Sequence, residues 1–341
     1  STDDKTFGAS PQKIATSTIG DELKMSTRGA AIVYSVAKEK DAAILSAGHA
    51  ADGAFWLNDK TYQWTTSTYY SKGAQGLVRA YNNTTNRTTT ADNDAVADLS
   101  VACITNMAMG RDAITDMLSV TLSAKGTGEL SWQSEMEIIY VKLDRTLASL
   151  IKRIEDQVGS DNVMFVVTST GYTDEQQPDY KRFQVPSGTF YINRTSNLLN
   201  MYLGAIYGQA KYVMTSFHNQ IYLDRKLIEQ RKISFTDVIT RSKELLVQTA
   251  GVRSVDTSPY NPAVSGDLII ETAPGWQVIN EDNNENYFSR ASFVPFPIII
   301  YGSGIKHERI TTPATVDRIA PTIAKAIRIR APNACSSAPL Q

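Results

Sequence analysis

Short apolar runs alternate with longer amphipathic stretches along most of the chain. Residues 31–36 (AIVYSV) and 42–47 (AAILSA) are compact β-rich runs that end in small or charged residues, and 117–123 (MLSVTLS) is a third. Each predicts a strand. From 136 to 158, Ile138, Ile139, Leu143, Leu147, Leu150, Ile151 and Ile154 fall on one helical stripe, opposite Asp144, Arg145, Lys152 and Arg153. Gly159 then supplies a stop. The run VMFVVT (163–168) is apolar throughout and reads as a strand covered on both faces. Strand, helix and strand in this order predict a βαβ unit, with 117–123 and 163–168 as neighbouring parallel strands. FVPFPIIIY (293–301) predicts a further buried strand stopped by Gly302, with a helix over 315–327 beside it. The class is α/β, with helices layered on a mostly parallel sheet.

Two regions interrupt this rhythm. Residues 61–94 are rich in Tyr, Thr and Asn, show no period, and predict an exposed loop or cap. Its Asn-x-Thr sequons at Asn82, Asn83 and Asn86 arise readily by chance in an Asn/Thr-rich run. Residues 187–271 read as an inserted α+β subdomain, leaving 1–186 and 272–341 as the core. Within the insert, 189–193, 212–223, 252–256 and 268–271 predict strands and 196–207 a helix. Ser234, with Asp237 three residues on, opens a second helix in the manner of a capping box. There is no internal repeat.

Composition narrows the function. The 341 residues are 42% hydrophobic, enough for a sizeable core. Lys+Arg total 34 against Asp+Glu 35, which argues against nucleic-acid binding by bulk charge and against a polybasic membrane binder. No apolar run reaches the roughly 18 residues of a membrane span. The opening STDDKTFGAS has no signal-peptide pattern, as a processed or truncated chain would also show. Cys103 and Cys335 permit at most one disulfide. Three histidines all but exclude a histidine-rich metal site.

Two segments carry a family resemblance: 17–59, with IGDELK and AAILSAGHAADGAFW, and 298–340, with VDRIAPTIAKAIRIRAPNA. Both resemble the alkaline phosphatase superfamily, in particular bacterial alkaline-phosphatase-like proteins related to type I phosphodiesterases and nucleotide pyrophosphatases. The resemblance implies an alkaline-phosphatase-like layered sandwich with a mostly parallel central sheet and an inserted α+β lobe. It further implies an initial strand with a metal-binding Asp and a Thr or Ser nucleophile at a helix head, both ahead of the IGDELK segment. This chain opens at about that segment. The expectation is that the N-terminal third of the domain is absent, that no residue here is the family nucleophile, and that an apolar face near 31–47 is either left exposed or covered by a partner.

Phosphoryl transfer in the family uses two metals, which activate the nucleophile and clamp the developing charge. Two zinc ions need roughly six Asp and His ligands. Where the resemblance implies Asp-x-x-Gly-His after the 117–123 strand, this chain has SAKGTGELSW, placing Gly126 near the Asp and Glu129 or Leu130 near the His. Where it implies Asp-His-Gly after VMFVVT, the chain has Ser169, Thr170 and Gly171, with Asp174 and Glu175 in a polar stretch beyond. Where it implies a last His before the late strand, Ser292 stands in RASFVP. Neutral hydroxyls do not compete with carboxylate or imidazole for Zn²⁺. The substrate-gripping Lys and Arg of some members fall on Lys38-Glu39-Lys40-Asp41, where Glu39 and Asp41 replace the cations; the residues by themselves read as a solvated turn. His49 reads as a hydrogen-bonded structural histidine rather than a ligand, His218 follows an apolar strand, and His307 sits in a charged turn. Trp56, Tyr62, Trp64, Tyr69 and Tyr70 form either a binding surface or, more simply, a packed meander.

These readings predict a pseudoenzyme that keeps the fold as a binding or scaffold module. It would have no cofactor, no nucleic-acid partner, no membrane span and an unidentified protein partner. Its pocket would survive as a shape in which Lys125, Ser169 and Thr170 hold a small anion weakly. The alternative is an active phosphatase or phosphodiesterase acting on a phosphorylated small molecule. It would use zinc or another divalent metal, with a nucleophile outside this sequence and Glu129, Asp174 or His49 as unconventional ligands. By resemblance the setting is periplasmic or secreted.

Overall fold

In a computed structural model, residues 9–58, 61–84, 92–124, 132–169, 184–257, 265–282, 285–288, 295–302 and 304–340 are described. The elements are α1 (Ile19–Ser26), β1 (Val33–Ala37), α2 (Lys40–Ala47), β2 (Gly53–Leu57), β3 (Trp64–Thr65), α3 (Lys72–Thr84), α4 (Asn93–Asn106), β4 (Met117–Thr121), α5 (Trp132–Val158) and β5 (Met164–Val167). There follow β6 (Gly188–Tyr191), α6 (Ile192–Tyr207), β7 (Val213–Phe217), β8 (Gln220–Leu223), α7 (Arg225–Gln230), α8 (Phe235–Leu246), β9 (Val252–Asp256), β10 (Leu268–Thr272), β11 (Trp276–Asn280) and β12 (Glu285–Phe288). The chain closes with β13 (Ile299–Gly302) and α9 (Ile319–Ala326). It divides into two compact units, 1–170 with 296–341, and 171–295.

The first unit is built on a sheet of order β3-β2-β1-β4. β1 runs parallel to β2 and to β4, with Tyr34 opposite Gly53 and Ala37 opposite Thr121. Every residue of β1 and β2 is buried. The expected uncovered apolar face is therefore not found on these strands; within 31–47 the exposed large apolar side chain is Leu45 on α2, and others lie at Ile138 on α5 and at Ile299 and Tyr301 on β13.

Several sequence expectations are corrected. Residues 42–47 are helix, not strand: Ala43, Ile44 and Ala47 are buried along one side of α2, and Gly48, at φ 78°, ends it. A six-residue apolar run fits both periods, and packing beside β1 and β2 makes it helix. β4 and β5 are not parallel neighbours, so the βαβ reading fails. β4 pairs with β1, while β5 pairs antiparallel with β13, Ile299 opposite Val167. β5 is half-buried rather than covered on both faces. The late strand spans only Ile299–Gly302, since Pro295 and Pro297 lack the amides a ladder needs. Residues 61–94 are not a plain loop: α3 buries Ala74, Leu77 and Val78 at helical spacing, and the Asn82 side chain pairs with the Trp64 backbone amide and carbonyl. On α5, Met136, Leu150 and Ile154 face inward, but Ile138 lies off the buried stripe.

In the second unit β7-β8-β10-β9 form one sheet and β12-β11-β6 another, so none of these strands enters the β1 sheet. Both pack with α6 and α8 around Leu199, Leu203, Ile221, Val238, Leu246 and Leu268. Ser234 accepts from the Asp237 amide, as its sequence context predicts.

Polar contacts stitch the first unit. Asp21, 5% exposed, accepts from the Thr18 amide at 2.8 Å, within a capping box, and from the Ala50 amide at 2.6 Å. One turn on, Lys24 Nζ donates to both Asp52 carboxylate oxygens, at 3.0 and 2.9 Å, and to the Ala31 carbonyl at 2.7 Å. Asp52 in turn accepts from the Val33 amide at 2.8 Å. Asn333 Oδ1 accepts from Thr16 Oγ1 at 2.6 Å and the Ser17 amide at 3.0 Å, binding the end of the chain to the segment before α1. Between α4 and α5 lie Lys142–Asp92 (2.8 Å), Thr146 Oγ1 donating to Asp94 (2.5 Å) and Arg153–Asp98 (2.8 Å).

Two outcomes follow. Asp21→Ala orphans two amides and is expected to lower stability by about 2–4 kcal/mol in urea unfolding, with Asp21→Asn, which keeps one acceptor oxygen, costing roughly half as much. Partial burial raises the Asp92 pKa, but the Lys142 hydrogen bond and the Ala95 amide outweigh it and hold the carboxyl below its usual range. A depressed folded-state pKa gives stability that is present above the unfolded value and lost as pH falls through the folded one. The stability gap between the natural chain and Asp92→Asn, which keeps the N-cap, should be flat near neutrality and close below about pH 4.

Candidate functional site

In parallel sheets ligands gather where strands end at their carboxyl edge. β1 and β4 end together, since Ala37 pairs with Thr121. Lys38–Asp41 leave from β1 at this edge, and Leu122–Ala124 from β4. Ser123 is pinned by Asn93, which accepts from its amide and donates to its carbonyl, both at 2.8 Å. Lys125, Gly126 and Glu129 lie outside the described residues, as do Thr170, Asp174, Glu175 and Ser292. Ser169 follows β5 by two residues and is exposed. Because β4 and β5 share no ladder, the two strand ends are not joined as adjacent ends of one sheet.

Lys38, Glu39, Lys40 and Asp41 are all exposed. They are not a free turn but the start of α2, with Glu39 at the N-cap making no side-chain cap bond. Glu39 and Asp41 set two carboxylates in the first turn and N-cap of α2.

The histidines are dispersed. His49 Nδ1 lies 3.6 Å from Asp21 Oδ2, and the His49 carbonyl accepts from the Tyr69 hydroxyl at 2.9 Å. His49 precedes β2, so it stands at the amino edge of the parallel strands, opposite the edge from which 122–124 leave. A five-residue strand separates the two edges by roughly 16 Å, so His49 cannot share a metal with that edge. His218 turns the β7–β8 hairpin at φ 50°, its ring stacked on Phe217 at 4.0 Å, in the second unit. His307 is exposed in the segment after β13.

Of the aromatic group, Trp56, Trp64 and Tyr70 are buried and only Tyr62 and Tyr69 face solvent, which is a packed meander rather than a binding surface. Cys103 and Cys335 are not bridged. Burial pushes the Cys103 thiol up to about 12, removing it as a nucleophile near neutrality.

The residue types at the implied ligand blocks do not fit a two-zinc centre. Gly126 offers no side chain, and Ser169, Thr170 and Ser292 offer neutral hydroxyls. Four positive charges need several carboxylates, and these blocks supply Glu129 alone. Among the described residues, no three His, Cys, Asp or Glu side chains converge in a way that would hold a metal ion. The polar group that the residues do bring together is Asp21, Lys24, His49 and Asp52, which the sequence reading passed over as chemistry. Its signal was present in the GDELK and GHAAD spacing, and what it holds is backbone.

The chain is similar to several known proteins. The family model for type I phosphodiesterase / nucleotide pyrophosphatase matches residues 9–292. The alkaline phosphatase PafA of Elizabethkingia meningoseptica is 24% identical over 97% of this chain and 75% of its own. A Myroides odoratus protein named calcium-transporting ATPase is 25% identical over 97% of this chain and 75% of its own. The alkaline phosphatase PhoV of Synechococcus elongatus is 23% identical over 95% of this chain and 72% of its own. The crystal structure of PafA superposes with a TM-score of 0.78 at 22% identity, covering 97% of this chain and 78% of that one. Its agreement bears out the α/β alkaline-phosphatase-like fold implied by the resemblance. With the family model covering most of its length, this chain belongs to the type I phosphodiesterase / nucleotide pyrophosphatase family of the alkaline phosphatase superfamily.

Proposed function

We propose that this chain is a non-catalytic member of the superfamily that keeps the fold as a binding or scaffold module. One observation carries the reading. At the blocks where the resemblance implies metal ligands, the chain has Gly126, Ser169, Thr170 and Ser292, and none of its three histidines falls in those blocks of the sequence. Loss of one ligand is compatible with an altered metal preference. Simultaneous replacement by glycine and hydroxyls removes the charge that a two-metal mechanism needs. Support also comes from the start of α2, where Glu39 and Asp41 take the places of phosphate-gripping cations. In the sequence, the residues left at these blocks for an anion are Lys125, Ser169 and Thr170.

The alternative is an active phosphoric ester hydrolase on a phosphorylated small molecule, with zinc or another divalent metal. The names of the PafA and PhoV relatives favour it. The position of His49 at the opposite edge leaves it Glu129, Asp174 and residues outside this sequence. For either reading we propose a periplasmic or secreted setting, on the resemblance; among the described residues no helix is long and apolar enough to cross a membrane.

The two readings separate in one assay. After purification with added zinc, elemental analysis should find no stoichiometric metal, and p-nitrophenyl phosphate should turn over no faster than in buffer. One tightly bound zinc or calcium per chain, together with turnover that Glu129→Gln abolishes, would restore the hydrolase.

A further inference from the structure

α1 and α9 end in the same way. Past the C-cap Thr27, the Gly29 amide reaches back to the Lys24 carbonyl at 2.7 Å and the Arg28 amide to the Met25 carbonyl at 3.2 Å. Past Ile327, the Ile329 amide reaches the Ala324 carbonyl at 2.9 Å and the Arg328 amide the Lys325 carbonyl at 3.1 Å. Both are Schellman closures, whose left-handed residue is by default glycine. Here it is arginine twice, Arg28 at φ 54° and Arg328 at φ 58°. α7 and α4 close in the same way on Lys232 and Ala108, so the strained conformation is not particular to the arginines; what sets these two apart is that they come together. Complementing the helix dipole does not account for it, because Lys24 and Lys325 already occupy the last turns.

Arg28 and Arg328 line one cleft of about 420 Å³ in the first unit, floored by Leu23, Ile114 and Ile329 with the Thr115 hydroxyl at its wall. No carboxylate lines it. Among the described residues, neither guanidinium nor the Thr115 hydroxyl has a hydrogen-bond or ion-pair partner. The Lys24, Met25, Ala324 and Lys325 carbonyls at the two helix ends are taken up by the closures. Two free planar forks over an apolar floor suit an oxyanion carried on an apolar stem.

We propose that this cleft binds a small amphiphilic oxyanion, a carboxylate or phosphate headgroup clamped by Arg28 and Arg328 with its apolar stem on Leu23, Ile114 and Ile329. The site is independent of the strand-end edge and stands whether or not the chain is a hydrolase.

Titration calorimetry with octanoate, octyl phosphate, inorganic phosphate and octanol tests it. Either amphiphile should saturate one site at least tenfold more tightly than inorganic phosphate or octanol, and the tighter of the two identifies the headgroup. Arg28→Gly and Arg328→Gly should each weaken binding about tenfold, near the 1.4 kcal/mol of one good charged pair. Each should also raise the Tm of the ligand-free protein, because glycine relieves the left-handed strain. Opposite shifts in binding and stability are the signature of residues kept for a ligand. Failure of both amphiphiles to saturate, unchanged binding in the double variant, or a lower Tm in the glycine variants would overturn the proposal.

Discussion

The first unit depends on the buried carboxylate of Asp21. A carboxylate 5% exposed is tolerable only when its oxygens are occupied, and here backbone amides from two separate segments occupy them. One bond closes the start of α1; the other holds the loop that leads into β2. Gly48 is part of the same constraint, since a Cβ there would stand 2.2 Å from Thr18 Oγ1 and 2.7 Å from Asp21 Oδ2. Lys24 extends the arrangement one helical turn along, tying Asp52 to the start of β1. α1 is thereby tied to the amino edge of the parallel strands, while α2, α3 and α4 cover the strands in which Tyr34, Val36, Phe55 and Leu57 are buried.

The segments that carry the family resemblance are the ones joined by these bonds. IGDELK supplies Asp21 and Lys24, AGHAADG supplies the Ala50 amide and Asp52, and the terminal APNA supplies Asn333, which grips Thr16 and Ser17. None of them is a metal ligand block. The residues that carry the resemblance are thus distinct from the blocks at which it implies metal ligands. The scaffold draws its stability from amide–carboxylate bonds and a continuous apolar cluster, and neither requires a metal.

Arg28 and Arg328 stand apart from that logic. Glycine at either place would ease the backbone, and neither guanidinium bonds to any described residue. They are local departures from the glycine that such helix ends prefer, and in contrast with Asp21 and Asp52 they hold no backbone amide.

Long periodic patterns and capping chemistry were legible in the sequence. The 3.6-residue spacing of α5, its stop at Gly159 and the Ser234 cap of α8 are local properties, set by a few consecutive residues. So was the set of side chains at the implied ligand blocks, since a glycine or hydroxyl cannot become a carboxylate by folding. Short runs were not legible: AAILSA satisfies both periods, and only its packing beside β1 and β2 makes it helix. Nor was pairing, because VMFVVT carries no mark that its partner is β13 rather than β4. The helix in 72–84 was hidden because Asn and Thr obscured the spacing of Ala74, Leu77 and Val78. The sequence by itself determined which chemical groups are available and where regular elements start and stop. The tertiary structure alone decided which groups meet. It set His49 at the far edge from the β4 strand end and turned two arginines, 300 residues apart, into one cleft, because proximity between distant segments depends on packing that no local window contains.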